Sequence, residues 1–177
     1  SGESSDPVGV ASLNAIILAC AELQHLDRAF ATFQEIKDTF DLDHDVDSYN
    51  ALLSACALPR NPQGQAALSI FEDMQGSLTP DERSYHYLLL ALARSGMDEE
   101  LQTALERLDY EGSVAPRRAL IEIGHFYITE ENKSLALAMR DRLAKSGRVP
   151  LHLAKRFEAR ENKSRRGKSQ PEQDVIK

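Results

Sequence analysis

An all-α fold of stacked helical hairpins is what this sequence predicts, and three observations carry it. A hexamer of the order Ser, large apolar, polar, any, apolar, apolar occurs three times at a spacing of 36 residues. Apolar residues recur with the 3.6-residue period of a helix through every copy, and no segment alternates with period two over a strand length. Pro, Gly and Asn fall where consecutive helices must turn. A fixed period of this length marks a chain in which each hairpin has an apolar face that only its neighbours can bury.

The first copy opens at Ser12-Leu13-Asn14-Ala15-Ile16-Ile17. Leu13, Ile16, Ile17 and Cys20 stand at i, i+3, i+4 and i+7, one face of a helix. A second helix follows, with Ala29, Phe33 and Ile36 toward the core. The second copy opens at Ser48-Tyr49-Asn50-Ala51-Leu52-Leu53, runs on to Cys56, and continues through Ala67, Phe71 and Met74. Asn61-Pro62-Gln63-Gly64 separates its helices. The third opens at Ser84-Tyr85-His86-Tyr87-Leu88-Leu89, breaks at Ser95-Gly96 and resumes with Leu101, Leu105 and Leu108. A weaker fourth copy begins near Ala119-Leu120-Ile121, continues through Ile123 and Phe126, and ends its second helix with Ala136, Met139 and Leu143. Thr79-Pro80-Asp81, Ala115-Pro116 and Val149-Pro150 close successive copies. After Pro150, the residues Leu151, Ala154 and Phe157 predict a short capping helix, followed by a basic stretch.

The organisation expected is a flexible segment over residues 1–9 and a repeat domain over 10–150. Its units lie at about 10–45, 46–81, 82–116 and 117–150. A capping helix and basic tail (151–168) and a disordered end (169–177) follow. Residues 1–6 are polar and acidic, unlike a signal or transit peptide. No apolar run approaches the ~20 residues of a membrane helix, so no membrane insertion is expected.

Charge is divided along the chain. Residues 151–177 hold 8 Lys/Arg against 4 Asp/Glu, a net of +4, while residues 1–150 hold 13 against 24, a net of −11. Cys20 and Cys56 are too few for a disulfide framework or a zinc site, and their 36-residue separation reads as equivalent core positions. His25, His44, His86, His125 and His152 have no metal-ligand spacing, and no Gly-rich phosphate loop follows a strand. The acidic groups Asp98-Glu99-Glu100 and Glu130-Glu131 sit near turns, where they favour helix N-termini. Neither a catalytic residue nor a metal or other cofactor is expected.

The second copy resembles the pentatricopeptide repeat family in particular. It carries the tyrosine-asparagine opening (Tyr49-Asn50), an Ala67-Leu68…Phe71-Glu72-Asp73-Met74 second helix and a Pro80-Asp81 ending. The first copy keeps Asn14, Asp27-Arg28-Ala29, Phe33 and a terminal Asp45. The third keeps Tyr85 with His86 in place of Asn. A tetratricopeptide pattern would need early Trp and Leu-Gly, and the chain has no Trp. The resemblance implies a short right-handed α-solenoid that binds single-stranded RNA in mitochondria or chloroplasts, one base per repeat.

On that resemblance the base-contacting pairs are Asn14 with Asp45 and Asn50 with Asp81, a combination the family uses for uracil. The third pair is His86 with Pro116, and a proline side chain reads no base edge. The flanking positions that sandwich bases are Ala11, Asp47 and Arg83. The positions where the family places a phosphate-binding Lys are Glu22, Leu58 and Arg94. The RNA-stacking or phosphate contacts expected are therefore Arg83 and Arg94, with Lys163, Arg165 and Arg166 in the tail. Phosphate neutralisation supplies most nucleic-acid affinity, so an acidic body with few such contacts also suits a different role. Two functions follow: an organellar RNA-binding adaptor in RNA metabolism or translation, or a protein-binding scaffold subunit of an organellar ribonucleoprotein such as the mitochondrial ribosome. The partners expected are single-stranded or ribosomal RNA and proteins of that particle. The tail either grips ribosomal RNA or is a solvated extension.

Overall fold

The computed structural model describes residues 8–167. The expected flexible segment at the N-terminus lies outside these residues up to position 7, as do Lys168 and the expected disordered end. Nine helices and no strand occur among the described residues. They are α1 (Val10–Glu22), α2 (Leu26–Asp38), α3 (Val46–Ala57), α4 (Gly64–Ser77), α5 (Glu82–Arg94), α6 (Asp98–Tyr110), α7 (Arg117–Thr129), α8 (Lys133–Lys145) and α9 (Leu151–Gly167). None is long and apolar enough to cross a membrane. The chain divides into two compact units, Ser1–Ala119 and Leu120–Lys177.

In the first unit α1, α3 and α5 form a row, α3 lying against both of the others. Each second helix packs on its own first helix, and α2 and α4 also reach the first helix of the next hairpin. Helix α3 therefore has neighbours on every side. Every residue from Ser48 to Ala57 is buried in consequence. Burial holds the Cys56 thiol neutral, its pKa pushed up to about 12. Both Cys20 and Cys56 are free thiols in the core, as their spacing led us to expect.

Two expectations about the core need correcting. Ile16 does not share the buried face of Leu13, Ile17 and Cys20; it is 44% exposed. Among the described residues helix α1 has α2 and α3 beside it, and the flank bearing Ile16 and Leu18 is exposed. Phe33 is half-buried, and Thr32 takes the interior place between Ala29 and Ile36. The Phe33 ring instead stacks on His44, with centroids 4.0 Å apart, and meets the edge of Tyr49. Phe71, at the corresponding place in α4, is buried.

The turns within hairpins show why particular residues occur there. Gly96, between α5 and α6, has φ 71°, a conformation that costs little without a Cβ. Gly64 opens α4, where a Cβ would lie 2.6 Å from Met97 Sδ. Its N–H donates to Ser95 Oγ at 2.8 Å, and Ser95 Oγ donates to the Pro62 carbonyl at 3.1 Å. The loops of successive hairpins are thereby fastened together.

The second unit contains most of α7 with α8 and α9. Its interior is built from Ile123, Tyr127, Met139, Leu143, Leu153 and Phe157. Phe126, expected in this core, is half-buried, and Tyr127 occupies the interior. In α9 the buried positions are Leu153 and Phe157, one turn apart, and Leu151 is 65% exposed. Helix α9 is also longer than the short cap expected, running through the basic stretch to Gly167. Gly124 on α7 faces the Phe157 ring of α9, where a Cβ would lie 3.4 Å away in ordinary van der Waals contact.

Candidate nucleic-acid interface

Asn14, Asn50 and His86 occupy the fifth position of α1, α3 and α5, at a 36-residue spacing. Asp45 and Asp81 are the N-caps of α3 and α5. Each accepts from the backbone N–H of the residue three positions on, Ser48 at 2.7 Å and Ser84 at 2.9 Å. Each Ser hydroxyl closes a capping box with the cap's own N–H. The cap thus pins the carboxylate at the start of one first helix, next to the Asn of the preceding one.

The two pairs foreseen from the sequence are hydrogen-bonded. Asn14 Nδ2 donates to Asp45 Oδ1 at 3.0 Å, and Asn50 Nδ2 donates to Asp81 Oδ1 at 3.1 Å. Both asparagines are buried. Burial pushes the carboxyls of Asp45 and Asp81 up, but hydrogen bonds outweigh it: Ser48 and Asn14 for the first, Ser84, Asn50 and the Arg83 charge for the second. Both are held below the ordinary carboxylate value.

The pairs differ at the other amide atom. Asn50 Oδ1 accepts from Ser84 Oγ at 2.7 Å, whereas Asn14 Oδ1 is buried and meets no donor among the described residues. A groove of about 280 Å³ is lined by Asn14 and Asp45 of the first pair and Asn50 of the second, with Asp47, Arg83 and Tyr87 among others. Its lining combines amide and carboxylate groups with a guanidinium and the Tyr87 side chain.

The remaining expected contacts are placed differently. Arg83 is paired with Asp47 one hairpin away and lies 3.6 Å from Asp81 Oδ2. Its guanidinium therefore spans the groove while engaged by carboxylates. Arg94 donates to the carbonyls of Ala57, Leu58 (3.2 Å) and Pro59 (3.1 Å), fastening the end of α3. His86 is buried with its ring edge-on to Tyr87, at a centroid distance of 5.1 Å. Lys163, Arg165 and Arg166 fall on α9, and their side chains lie outside the described set.

The roles of Ser48 and Ser84, of the Asp47–Arg83 pair and of Tyr87 were missed from the sequence. The first had a legible signal in Asp45-x-x-Ser48 and Asp81-x-x-Ser84, a cap with its partner three residues on. The ion pair had only the 36-residue separation of opposite charges at equivalent positions.

Comparison with known proteins bears on this same region. The profile of the pentatricopeptide repeat domain matches residues 38–95, which include Asp45, Asn50, Asp81 and Arg83 but not Asn14. A mitochondrial pentatricopeptide repeat-containing protein of Arabidopsis thaliana is 42% identical over 81 residues. That match covers 45% of this chain and 12% of the plant protein, so the chain corresponds to a small part of that relative. Helical hairpins at a 36-residue period, the profile match across the second hairpin and α5, and this relative agree: residues 38–95 are similar to the pentatricopeptide repeat domain.

Proposed function

We propose that the chain binds single-stranded RNA in mitochondria, through a repeat domain over about residues 10–150 that reads bases along the row of α1, α3 and α5. The observation that carries this is the pair of matched Asn–Asp contacts, 3.0 and 3.1 Å, at equivalent places in successive hairpins, with Asn14, Asp45 and Asn50 lining one groove. Held amides and carboxylates of this kind present fixed donors and acceptors to a base edge, as repeat proteins that read one base per unit require. The mitochondrial location rests on the name of the plant relative. A role as an adaptor in organellar RNA metabolism or translation agrees with two readable repeats, too few to choose a site alone.

A scaffold role within an organellar ribonucleoprotein is the second reading. It is favoured by the engagement of Arg83 and Arg94 within the protein and by the net charge of −11 over residues 1–150. Electrophoretic shifts with oligo-U, oligo-A and mixed RNA at two salt concentrations separate the two. RNA reading predicts weak, salt-sensitive binding with a preference for U that flattens in Asn50→Ala while overall affinity holds. Equal binding of all sequences by wild type and variant would favour the scaffold.

A further inference from the structure

Outside the groove, α7 and α9 bring together His125, His152 and Arg156. The two imidazoles are stacked, with centroids 5.2 Å apart and planes 9° from parallel. Arg156 Nη1 lies 2.6 Å from His125 Nδ1, and Nη2 lies 3.5 Å from Thr129 Oγ1. A guanidinium only donates, so His125 Nδ1 is the acceptor and that ring is neutral, with its proton on Nε2. No carboxylate pairs with Arg156 among the described residues. Among the described residues, this exposed positive charge faces a neutral ring and a hydroxyl.

We propose that His125, His152 and Arg156 form a second RNA-binding site, which takes a backbone phosphate of single-stranded RNA. The proposal rests on the RNA reading above and adds a sequence-independent contact to it. Several observations point to RNA as the anion. Residues 120–177 hold 13 Lys/Arg against 8 Asp/Glu, a net of +5, which suits a polyanion. Histidine rings and guanidinium planes are also surfaces on which unpaired bases stack. A lipid surface is a poorer match, because Leu153 and Phe157 face the interior and among the side chains described on α9 only Leu151 remains as an exposed apolar anchor. The His125 imidazole is biased toward its neutral form by burial, then by the charges of Arg156 and His152. A phosphate set between them offsets the last two.

The test uses the full chain with labelled oligo-C and oligo-U, comparing wild type, Arg156→Gln, Arg156→Lys and the double variant His125→Gln/His152→Gln. Arg156→Gln is expected to weaken both RNAs alike, roughly 3–10-fold, and to reduce the salt slope by about 0.7, the value of one phosphate contact on a single strand. Arg156→Lys keeps the charge and recovers part of the loss. The imidazole resonances of His125 and His152 are expected to move on RNA addition, in wild type and in Asn50→Ala alike. Unmoved imidazole resonances at saturating RNA, or an Arg156→Gln variant with wild-type affinity and slope, would overturn the proposal while leaving groove reading intact. Anionic vesicles in place of RNA supply the other arm: binding of vesicles but not RNA, lost in Arg156→Gln, assigns the cluster to lipid and also overturns it. Loss of U preference in Asn50→Ala is scored separately and reports on the groove alone.

Discussion

Ser84 Oγ donates to Asn50 Oδ1 at 2.7 Å, and this contact makes two otherwise matched Asn–Asp pairs unlike each other. Both hydroxyls lie near their cap aspartate, Ser48 Oγ 2.8 Å from Asp45 Oδ1 and Ser84 Oγ 3.0 Å from Asp81 Oδ1, but Asn14 Oδ1 meets no donor among the described residues. The second pair is closed within the protein; the first keeps one buried acceptor unpaired among the described residues.

Ser84→Ala should therefore cost more than Ser48→Ala. Removing Ser84 Oγ strands a buried amide oxygen as well as half a capping box, a loss of about 1–3 kcal/mol. Removing Ser48 Oγ disturbs the cap alone, about 0.5–1 kcal/mol. Urea unfolding of both variants checks the order, and a Ser84/Asn50 double-mutant cycle should show coupling of at least roughly 0.5 kcal/mol. Equal losses at the two serines would mean the pairs are equivalent in solution.

The caps Asp45 and Asp81 should make the first unit acid-sensitive. Their carboxyls are held below the ordinary aspartate value in the folded state, so folding favours the ionised form. The stability they add is present above the unfolded carboxylate pKa and is lost as pH falls through the lower folded values. Asn is also a good N-cap but does not titrate. The variant Asp45→Asn/Asp81→Asn should then show a flatter dependence of stability on pH below about 4 than wild type, measured by urea unfolding.

Phe71→Ala should destabilise by about 3–5 kcal/mol, the cost of emptying a buried aromatic site. Phe33→Ala should cost less, about 1–2 kcal/mol, because the ring is half-buried and its main partners are the His44 and Tyr49 rings. Thermal or urea unfolding of both settles it. A loss at Phe33 as large as that at Phe71 would place Phe33 in the interior after all.

The Asp47–Arg83 pair is exposed on both sides, and exposed ion pairs contribute about 0–1 kcal/mol. Asp47→Asn should therefore leave unfolding nearly unchanged. It should also strengthen RNA binding, by roughly 2–5-fold, since it removes a carboxylate from the groove and releases a guanidinium for stacking or phosphate. Filter binding at low salt measures this. Weaker binding in the variant would show that the paired arrangement itself holds the RNA.

The sequence by itself determined the helices and their order, because a 3.6-residue period in apolar residues is a local property written into each segment. Which residues meet came from the family resemblance, which paired Asn14 with Asp45 and Asn50 with Asp81, and the 36-residue repeat made the two pairs equivalent. What the sequence did not determine depends on how many neighbours each helix has. Ile16 and Leu52 stand in equivalent apolar positions, yet Leu52 is buried between flanking helices and Ile16 faces solvent at the side of the row. Phe33 and Phe71 diverge in the same way once His44 offers its ring to one of them. Only the tertiary structure decided that Arg83 is held by Asp47 and Arg94 by backbone carbonyls, since a cation's partner is chosen by distance in space. The same holds for His125, His152 and Arg156, which the packing of α9 on α7 brings together.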